Sequence, residues 1–468
     1  MFFVFKIYLF KFPKRADFFN SNTILMKIFK FGGASVKDAA AVKNVVTILK
    51  QFPNDNIILV LSAMGKTTNA LERLTNAFMS SDGHKKDGKE QTEKILEEIK
   101  KYHFDIIEQL FPDKKHSIYN EINNAFIELD WIIEEERQHP YDQAYDQIVS
   151  VGEIVATKIV NAYLIQAGIH STWRDIRDFI QTDNSYREAK VDWLLTQSLV
   201  DEGINSKTAP IFKSSIGKAE GVSKGEILLT QGFIGGTSEN YTTTLGREGS
   251  DYTAAILAFT TNAESVTIWK DVPGVLNADP KWFDETIKID QLSYQDAIEL
   301  AYYGATVIHP KTIKPLQNKK IPLYVKSFLE PELTGTLINE VQSQIPIPCF
   351  IFKINQVLLS IYPKDFSFIV EENFSAIFKL FAEKHVKINM MQNSAISFSV
   401  CIDNDSQKLS DLIKTLQKEY RTLYNDNLEL ITIRYYNQAT IDRVVIDKKV
   451  LLEVRSRHTV QLVAKSVV

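Results

Sequence analysis

The sequence predicts an α/β fold in which helices sandwich a mostly parallel open sheet, followed by α+β units of βαββαβ order. Three observations predict it. Short apolar runs end in glycine, serine or aspartate, as strands buried on both faces of a parallel sheet do. Helical periodicity fills the intervals between these runs, which indicates βα units. After about residue 335, alternating strands and short amphipathic helices replace this pattern.

The predicted strands of the parallel sheet are short and apolar. They are Ile28–Phe31, Ile57–Leu61, Ile227–Leu229, Val266–Trp269 and Ile321–Val325. Ligands of such sheets bind outside the carboxyl ends of the strands. The residues that follow these runs are therefore candidate site residues.

A long helical excursion interrupts the sheet pattern between about residues 69 and 168. Its predicted helices are Asn69–Ser80, Lys89–Leu110, Lys114–His139 and Asp142–Ala167, with a loop around Ser81–Gly88. We expect this excursion to cover one end of the site or to form a contact between subunits.

The carboxyl-terminal region predicts one full βαββαβ unit at about 357–436 and a second, abbreviated unit within 345–468. The full unit reads Val357–Tyr362, Phe374–His385, Val386–Met391, Ala395–Ile402, Lys408–Tyr420 and Leu428–Tyr436. The abbreviated unit combines Cys349–Ile354 with the chain after Ala439, and the linker is Pro331–Pro348. The preceding domain is expected over 26–330.

The first 25 residues are rich in phenylalanine but are interrupted by basic residues and Pro13. No apolar run there reaches the roughly 18 residues that span a bilayer, and the charges do not precede the apolar stretch as in a signal peptide. We expect Met26 to be the natural start, with a native amino-terminal tail as the alternative.

Composition excludes several classes of protein. The 468 residues suffice for two to four domains, at roughly 100–200 residues each. Lys plus Arg (54) nearly balance Asp plus Glu (58), so no basic field favours nucleic acid. Two cysteines exclude a disulfide scaffold and fit a reducing cytoplasm. Scattered histidines without HExxH spacing argue against a zinc enzyme.

The glycine turn after the first strand is a candidate phosphate site. Gly32 and Gly33 let backbone approach an anion closely, and Lys30 adds a cation near the strand end. A purely structural turn remains the alternative. After the second strand, Ser62 to Thr68 supplies small hydroxyl-bearing residues that suit a polar substrate, while Val60 breaks the P-loop pattern there.

Two further segments carry charge where a site would need it. Glu153 lies in an otherwise apolar helix, so its carboxylate is either paired, near solvent at a site, or simply exposed. The glycine- and threonine-dense loop from Gln231 to Thr253 offers backbone N–H groups to an anion. Within it, Arg247 can hold a carboxylate in bidentate fashion, and Asp251 can steady a lysine or a metal.

The segment from Trp269 to Lys281 follows another strand and is typical of a loop that holds a nucleotide base and ribose, with Lys281 near phosphate. A tight turn at Gly304 leads to His309, which is expected to be a packed histidine rather than a base or ligand.

Together these motifs resemble the aspartokinases. The motifs KFGGASV at Lys30, GFIGG at Gly232, TTLGREGSD at Thr243, WKDVPGVLNADP at Trp269 and GATVIHP at Gly304 occur in that family's order and spacing. The resemblance runs from Met26 to about Ser327, and the carboxyl-terminal units resemble the ACT regulatory domains of that family.

The resemblance implies ATP-dependent phosphorylation of the side-chain carboxylate of L-aspartate to 4-phospho-L-aspartate, the first step towards lysine, threonine and methionine. Lys30 and Asp251 would be catalytic. ATP would contact Lys30, Phe31, Gly32, Gly33, Lys270, Asp271, Leu276, Lys281, Thr306 and Val307. The substrate would contact Ser62, Thr68, Glu153, Phe233, Arg247 and Ser250. Mg²⁺ would be carried by ATP rather than by a protein metal site.

Some residues depart from the family pattern. Ala34 stands at a usual Thr, Lys270 at a usual Thr and Lys281 at a usual Arg, while Thr306 stands where many members have a lysine. Glu248 replaces a glycine beside Arg247, so it must point away or pair with a lysine. None of these changes removes a proposed catalytic residue, so an active kinase is expected.

Regulation and assembly are expected by resemblance alone. An amino-acid effector, lysine or threonine, would bind the ACT region, although the stretch Asn389–Ser394 lacks the acidic residue of lysine-sensitive members. A cytoplasmic homodimer or homotetramer is expected, with neither nucleic acid nor membrane as a partner. The alternatives are a kinase for another small carboxylate and a non-catalytic amino-acid sensor.

Overall fold

The structure is a computed structural model that describes residues 26–80, 86–134, 139–205, 225–305, 308–341, 347–365 and 367–467. The predicted extension of residues 1–25 and most of the predicted loop at Ser81–Gly88 lie outside these residues. The chain divides into two compact units. The first contains the described residues up to Val275, Asp290–Ala297 and 308–341, and the second contains Leu276–Ile289, 298–305 and 347–467.

A mostly parallel sheet forms the centre of the first unit. The strands of this unit are β1 (Met26–Phe31), β2 (Asn56–Leu61), β3 (Ser171–Trp173), β4 (Ile227–Gln231), β5 (Ile234–Gly236), β6 (Thr242–Thr244), β7 (Ser265–Lys270), β8 (Gln291–Ser293), β9 (Leu323–Ser327) and β10 (Thr336–Asn339). Over the described residues the sheet order is β3-β4-β2-β1-β7-β9-β10-β8, and only the β9–β10 pairing is antiparallel. Strands β5 and β6 form a separate antiparallel ribbon.

The central strands form because nearly every side chain in them is apolar and buried. β1 lies between β2 and β7 in parallel register, and Ile28, Ile58 and Val266 are completely buried. One predicted strand is displaced, because β9 begins at Leu323 rather than Ile321. Lys320 ends the preceding helix in a left-handed conformation, so the next two residues serve as the connection.

The helices cover the sheet and connect its strands. They are α1 (Ala39–Leu49), α2 (Thr67–Ser80), α3 (Lys86–Leu110), α4 (Ile118–Glu134), α5 (Tyr141–Gln166), α6 (Trp193–Val200), α7 (Gly249–Thr261), α8 (Tyr294–Tyr303), α9 (Pro310–Lys319), α10 (Glu371–Glu383), α11 (Ser406–Leu416) and α12 (Gln438–Val444). The predicted helical excursion corresponds to α2–α5. α4 begins later than the predicted Lys114, because side chains of Asp113 and His116 accept backbone N–H groups in turns before it.

Helix α5 is long and apolar enough to cross a membrane by length and composition. However, 67% of its most apolar window is buried inside the protein, where it packs against α2, α4 and the sheet. It is therefore the central core helix of the first unit, and its burial explains why its sequence is apolar on every side.

The second unit contains one antiparallel sheet covered by short helices. Its strands are β11 (Cys349–Pro363), β12 (Ile388–Asn393), β13 (Phe398–Asp403), β14 (Tyr420–Arg434), β15 (Lys448–Arg455) and β16 (Thr459–Ser466), in the order β12-β13-β11-β14-β16-β15. With α10 and α11, the chain from β11 to β14 has the predicted βαββαβ order. Together with the first unit, this confirms the predicted fold class.

Two long strands join the predicted regulatory units into one sheet. The separately predicted Cys349–Ile354 and Val357–Tyr362 are a single strand, β11, whose register with β14 shifts between Lys353 and Leu358. β14 begins at Tyr420 rather than at the predicted Leu428, and α11 ends at Leu416. The prediction was wrong there because the first half of β14 is mostly polar and exposed, without the alternation that marks a half-buried strand.

Candidate active site

A cleft of about 710 Å³ opens in the first unit where several strands of the parallel sheet end. It is lined by predicted site residues from β1, β7, α2, α5, α7 and the loops after β2, β4 and β6. Those predicted residues are Lys30, Ser62, Thr68, Glu153, Phe233, Arg247, Ser250, Asp251 and Lys270. The structure therefore brings together the residues that the sequence assigned to substrate binding and catalysis.

A buried ion pair lies at the floor of the cleft. The Nζ atom of Lys30 in β1 lies 2.6 Å from Oδ1 of Asp251 in the first turn of α7, and both side chains are almost fully buried. The Nζ atom of Lys270, at the end of β7, lies 3.8 Å from Oδ2 of the same carboxylate. Asp251 thus orients two ammonium groups at the carboxyl ends of neighbouring strands, an arrangement suited to a phosphate group.

The turn after β1 packs directly against the turn after β2, with backbone atoms of the two turns in contact. The N–H of Gly65 donates to the carbonyl of Gly33 at 3.0 Å. A Cβ atom on Gly33 would lie 2.7 Å from the carbonyl oxygen of Gly65 and 2.8 Å from that of Ala63. Glycine is required here because backbone atoms cannot yield as a flexible side chain would. Lys30 and Ser62, which precede and begin these two turns, both line the cleft.

Glu153 contributes a buried carboxylate that has no hydrogen-bond partner at Oε2. Desolvation raises the pKa of Glu153 to about 8, against the lowering effects of the Ala63 backbone N–H and the Lys30 charge. Gly152 lets α5 approach α2, since a Cβ atom there would lie 2.9 Å from Leu71. An unpaired acidic group in a cleft fits a ligand ammonium.

The loop between β6 and α7 is ordered by contacts with Phe233. The N–H of Phe233 donates to the hydroxyl of Thr253 at 3.0 Å, and its carbonyl accepts from Leu245 at 2.8 Å. The Phe233 ring lies only 2.6 Å from where a Cβ atom on Gly249 would be. These contacts bring Arg247 and Ser250 to the cleft beside the ring.

Glu248 also lines the cleft, and its carboxylate accepts the backbone N–H of His309 at 2.8 Å. His309 is the N-cap of α9, so the negative charge lies at the positive end of a helix. The expectation that Glu248 pairs with a lysine or points away is therefore replaced by a backbone contact. Its φ of 54° is left-handed, a conformation that glycine adopts with less strain than glutamate.

Among the described residues, the other predicted ATP-binding residues are not part of the lining of the cleft. The Phe31 side chain is fully buried and stacks on Trp269, with 5.5 Å between ring centroids, so only its backbone is available to a ligand. Asp271 is exposed, and Leu276 and Lys281 belong to the second unit. Thr306 and Val307 lie outside the described residues. Nucleotide contacts by these residues stay predictions.

Four lining residues were not predicted from the sequence: Asp142, Tyr145, Arg187 and Glu188. Thr244 also lines the cleft and belongs to the predicted glycine- and threonine-dense loop. Asp142 and Tyr145 share helix α5 with Glu153, and their helical spacing was a usable signal. Arg187 had no such signal. It has a left-handed φ of 66°, and its guanidinium lies 4.4 Å from the Tyr145 ring centroid.

Comparison with known proteins agrees with this geometry. The sequence is 27% identical over 416 residues to lysine-sensitive aspartokinase 3 of Escherichia coli, covering 87% of this chain and 86% of that protein. It is 28% identical over 412 residues to chloroplastic aspartokinase 1 of Arabidopsis thaliana, covering 84% and 67%. The resemblance drawn from the motifs is confirmed.

Solved structures agree as well. E. coli aspartokinase III in complex with aspartate and ADP has a TM-score of 0.75 and 25% identity to this protein, covering 94% of this chain and 96% of that one. The same enzyme with lysine and aspartate has a TM-score of 0.74. The Clostridium acetobutylicum aspartate kinase, at 21% identity and a TM-score of 0.71, shares the fold.

The family assignment rests on the whole first unit rather than on isolated motifs. The sequence model of the amino acid kinase family matches residues 26–327, which include every strand and loop that contributes to the cleft. Since this match covers more than half of the chain, the chain belongs to the amino acid kinase family.

Proposed function

We propose that the protein is an aspartokinase, which transfers the γ-phosphoryl group of ATP to the side-chain carboxylate of L-aspartate. One observation carries the proposal. A single cleft combines the Lys30–Asp251 ion pair with Arg247 and the unpaired Glu153 carboxylate. A phosphate, an amino-acid carboxylate and an amino-acid ammonium each find a complementary group there.

The reaction needs alignment more than acid–base chemistry. An oxygen of the aspartate side-chain carboxylate, already ionised at neutral pH, forms a bond to the γ-phosphorus. The bond from that phosphorus to the bridging oxygen breaks, and ADP leaves with the electron pair. No proton moves, so catalysis reduces to positioning and to absorbing negative charge. Lys30, oriented by Asp251, is the group we assign to the transferring phosphoryl oxygens.

Substrate selection follows from two other charged groups of the cleft, Arg247 and Glu153. The Arg247 guanidinium would grip the α-carboxylate in bidentate fashion, and Glu153 would accept the α-ammonium. Ser62, Thr68, Phe233 and Ser250 would line the remaining surface. The ammonium would supply the partner that Glu153 lacks within the protein and would lower its pKa from about 8.

Magnesium would enter with the nucleotide. Within the described residues, no group of three or more His, Cys, Asp or Glu side chains converges on one point. This donor set suits an ion held mainly by phosphate oxygens and water, as Mg²⁺ is in many kinases. When bound, the ion would neutralise charge on the phosphates; the side chains of the cleft do the positioning.

Hydroxylamine trapping tests the proposal. The protein is incubated with ATP, Mg²⁺, hydroxylamine and either L-aspartate or L-glutamate, and the acyl hydroxamate is measured. The acyl phosphate should be trapped with aspartate and not with glutamate. Product from glutamate alone would instead support a kinase for another small carboxylate, while no product from any carboxylate would support the non-catalytic sensor.

We propose in addition that the second unit binds an amino-acid effector, lysine or threonine; the similar E. coli aspartokinase III forms a complex with lysine and aspartate. In β12, the Asn389 side chain is already engaged with Lys353, Gln356 and Asp403. Asn393 and Ser394 are exposed at the end of this strand, where an effector would reach them, and the Ser394 hydroxyl shares a hydrogen bond of 2.7 Å with that of Ser397.

Assembly and location are proposed on the same relationship. A homodimer or homotetramer in the cytoplasm is expected, and light scattering of the purified protein would give its mass in solution. The reaction would open the route to lysine, threonine and methionine.

A further inference from the structure

A second buried carboxylate lies on helix α5, and the reaction proposed above does not use it. Asp146 is completely buried. Its Oδ2 atom accepts the backbone N–H of Arg187 at 2.9 Å and that of Thr244 at 2.8 Å. Its Oδ1 atom accepts the hydroxyl of Thr244 at 2.8 Å. One carboxylate thus holds two chain segments that are distant in the sequence.

Both of those segments border the cleft. The loop containing Arg187 also carries Glu188, and Thr244 ends β6 just before Gly246 and Arg247. The two segments touch each other as well. A Cβ atom on Gly246 would lie 3.0 Å from Cγ of Glu188 and 3.3 Å from the carbonyl of Arg187. Removing the tie at Asp146 would therefore loosen the base of the loop that carries Arg247.

Asp146 and Glu153 are placed for different tasks. They lie seven residues apart on α5, so both face the same side of the helix, about two turns apart. The Glu153 carboxylate has an atom without a protein partner, whereas both oxygens of Asp146 are occupied by protein donors. Glu153 is thus available to a ligand, and Asp146 is not.

We propose that Asp146 is a positioning residue for aspartate binding, which holds the Arg187 and Thr244 backbones so that Arg247 meets the substrate carboxylate. This inference rests on the proposed aspartokinase function. Asp146 touches neither substrate nor nucleotide. It acts through the two segments that it ties together, so its loss should weaken aspartate binding far more than nucleotide binding.

The charge state of Asp146 gives a second readout. Desolvation raises the pKa of Asp146 to about 6, although the three hydrogen bonds and the Arg187 charge lower it. The Asp146 charge also acts on Tyr145 of α5 and Tyr186 in the facing loop, and the Arg187 guanidinium pairs with Glu72 of α2 and Asp142 of α5. Burial raises the pKa of both tyrosines, so they stay neutral at working pH. β6 contributes only the neutral Thr244. Protonation of the Asp146 carboxylate below about pH 6 would reduce its capacity to accept the hydrogen bonds from Arg187 and Thr244.

The test compares Asp146→Asn with wild type in the hydroxamate assay. The asparagine amide group would direct its own N–H donors at the N–H donors of Arg187 or Thr244, so hydrogen bonds to these segments would be lost. The side-chain volume would stay almost the same. We expect the KM for aspartate to rise about tenfold or more while the KM for ATP changes less than about twofold. In wild type, kcat/KM for aspartate should fall more steeply below about pH 6, and the variant should lack this steepening.

Two further variants keep the test decisive. Asp192→Asn alters a carboxylate that also accepts two backbone N–H groups, at the N-cap of α6 and outside the cleft, so it should change stability without changing either KM. Thr244→Val removes only the hydroxyl bond to Asp146, and it should raise the KM for aspartate severalfold even if Asp146→Asn does not fold.

The outcomes are separable. An unchanged KM for aspartate together with an unchanged pH profile in Asp146→Asn would overturn the inference. Equal increases in the KM for aspartate and the KM for ATP, with a loss of stability like that of Asp192→Asn, would overturn it as well. A wild-type protein that gives no hydroxamate from aspartate would instead overturn the proposed function.

Discussion

Lys30 and Asp251 form a buried ion pair that is expensive to maintain. Removing two charges from water costs several kcal/mol per ion, and their mutual attraction often does no more than offset this cost. A pair whose side chains are 11% and 3% exposed is therefore poor evidence for stability. Its position at a strand end inside the cleft favours a role in catalysis instead.

Substituting Lys30 tests that role. Lys30→Ala should lower kcat by roughly 10²- to 10³-fold, because one preorganised charge no longer stabilises the transferring phosphoryl group. Initial rates at saturating ATP and aspartate measure the effect. Lys270→Ala is the matched comparison, since Lys270 lies farther from Asp251 and should mainly raise the KM for ATP. Full activity in Lys30→Ala would remove Lys30 from the mechanism.

The protonation of Glu153 should appear in substrate binding. Because its pKa is raised to about 8, the side chain is largely neutral at pH 7 and attracts an ammonium group weakly. The KM for aspartate should therefore fall as the pH rises from about 7 to about 8.5. Glu153→Gln should show a high KM with no such fall. A wild-type KM that stays constant over this range would contradict the assignment.

At the scale of elements, strand-end turns and core helices position the site together. The turn after β1 fits against the turn after β2 because Gly33 has no side chain, and Gly152 allows the close approach of α5 to α2. The first contact involves backbone atoms, whereas the second involves side chains that can adjust. A substitution at Gly33 in the β1 turn should therefore be tolerated less well than one at Gly152.

Gly33→Ala should damage both stability and catalysis. The added methyl group would meet two carbonyl oxygens at less than 3 Å, and overpacking of this kind costs about 1–3 kcal/mol. Urea unfolding would measure the cost, and the KM for ATP should rise because the turn beside Lys30 moves. Ala34→Ser, at an exposed neighbouring position, should leave both unchanged. Equal stability of Gly33→Ala and wild type would contradict the close packing.

Helix α3 carries a buried histidine that makes stability depend on pH. His103 is completely buried, its Nδ1 atom lies 2.8 Å from the carbonyl of Ile99, and desolvation lowers its pKa to about 4. Its folded pKa is below the unfolded value of 6.5, so its contribution to stability is fully present above pH 6.5 and is lost as the pH falls towards 4.

Urea unfolding at two pH values tests this linkage. Between pH 7.5 and pH 5, His103 should account for about 1–2 kcal/mol of lost unfolding free energy. His103→Phe, which cannot titrate, should lose less stability over the same interval than wild type. Identical pH dependence in the two proteins would show that His103 is not the group responsible.

At the scale of the whole molecule, the chain is organised as a catalytic unit and a second unit built on one antiparallel sheet. The second unit takes in Leu276–Ile289, which the sequence analysis assigned to nucleotide binding. Its core includes Ala278 together with residues of β11, β14 and β16. An effector that alters this unit would thus act on a segment that is also proposed to contact the nucleotide.

Inhibition by an effector is the corresponding prediction. L-Lysine or L-threonine, added to the hydroxamate assay at millimolar concentration, should lower the rate at subsaturating ATP. The reason is that effector binding would shift the conformational equilibrium of the second unit. Asn393→Ala should weaken the response and leave the uninhibited rate unchanged. The absence of any effect from either amino acid would contradict effector control by these two ligands.

Local sequence predicted much of this molecule. The central strands, the helices α2–α5 and the βαββαβ order were readable because buried strands and core helices have strong apolar periodicity. The glycine turns and the residues Lys30, Arg247 and Asp251 were readable from motifs. Polar strands such as the first half of β14 were not, because pairing with β11, rather than local pattern, makes them strands.

The sequence by itself determined the fold class, the family resemblance and most groups of the cleft, since apolar periodicity and strand-end motifs are local properties of the chain. Only the tertiary structure decided which charges are paired. Asp251 meets Lys30, Asp146 is occupied by two distant segments, and Glu153 is left with an unpaired oxygen. Desolvation and hydrogen-bond partners depend on residues far apart in sequence, and they separate three similar carboxylates into three different roles.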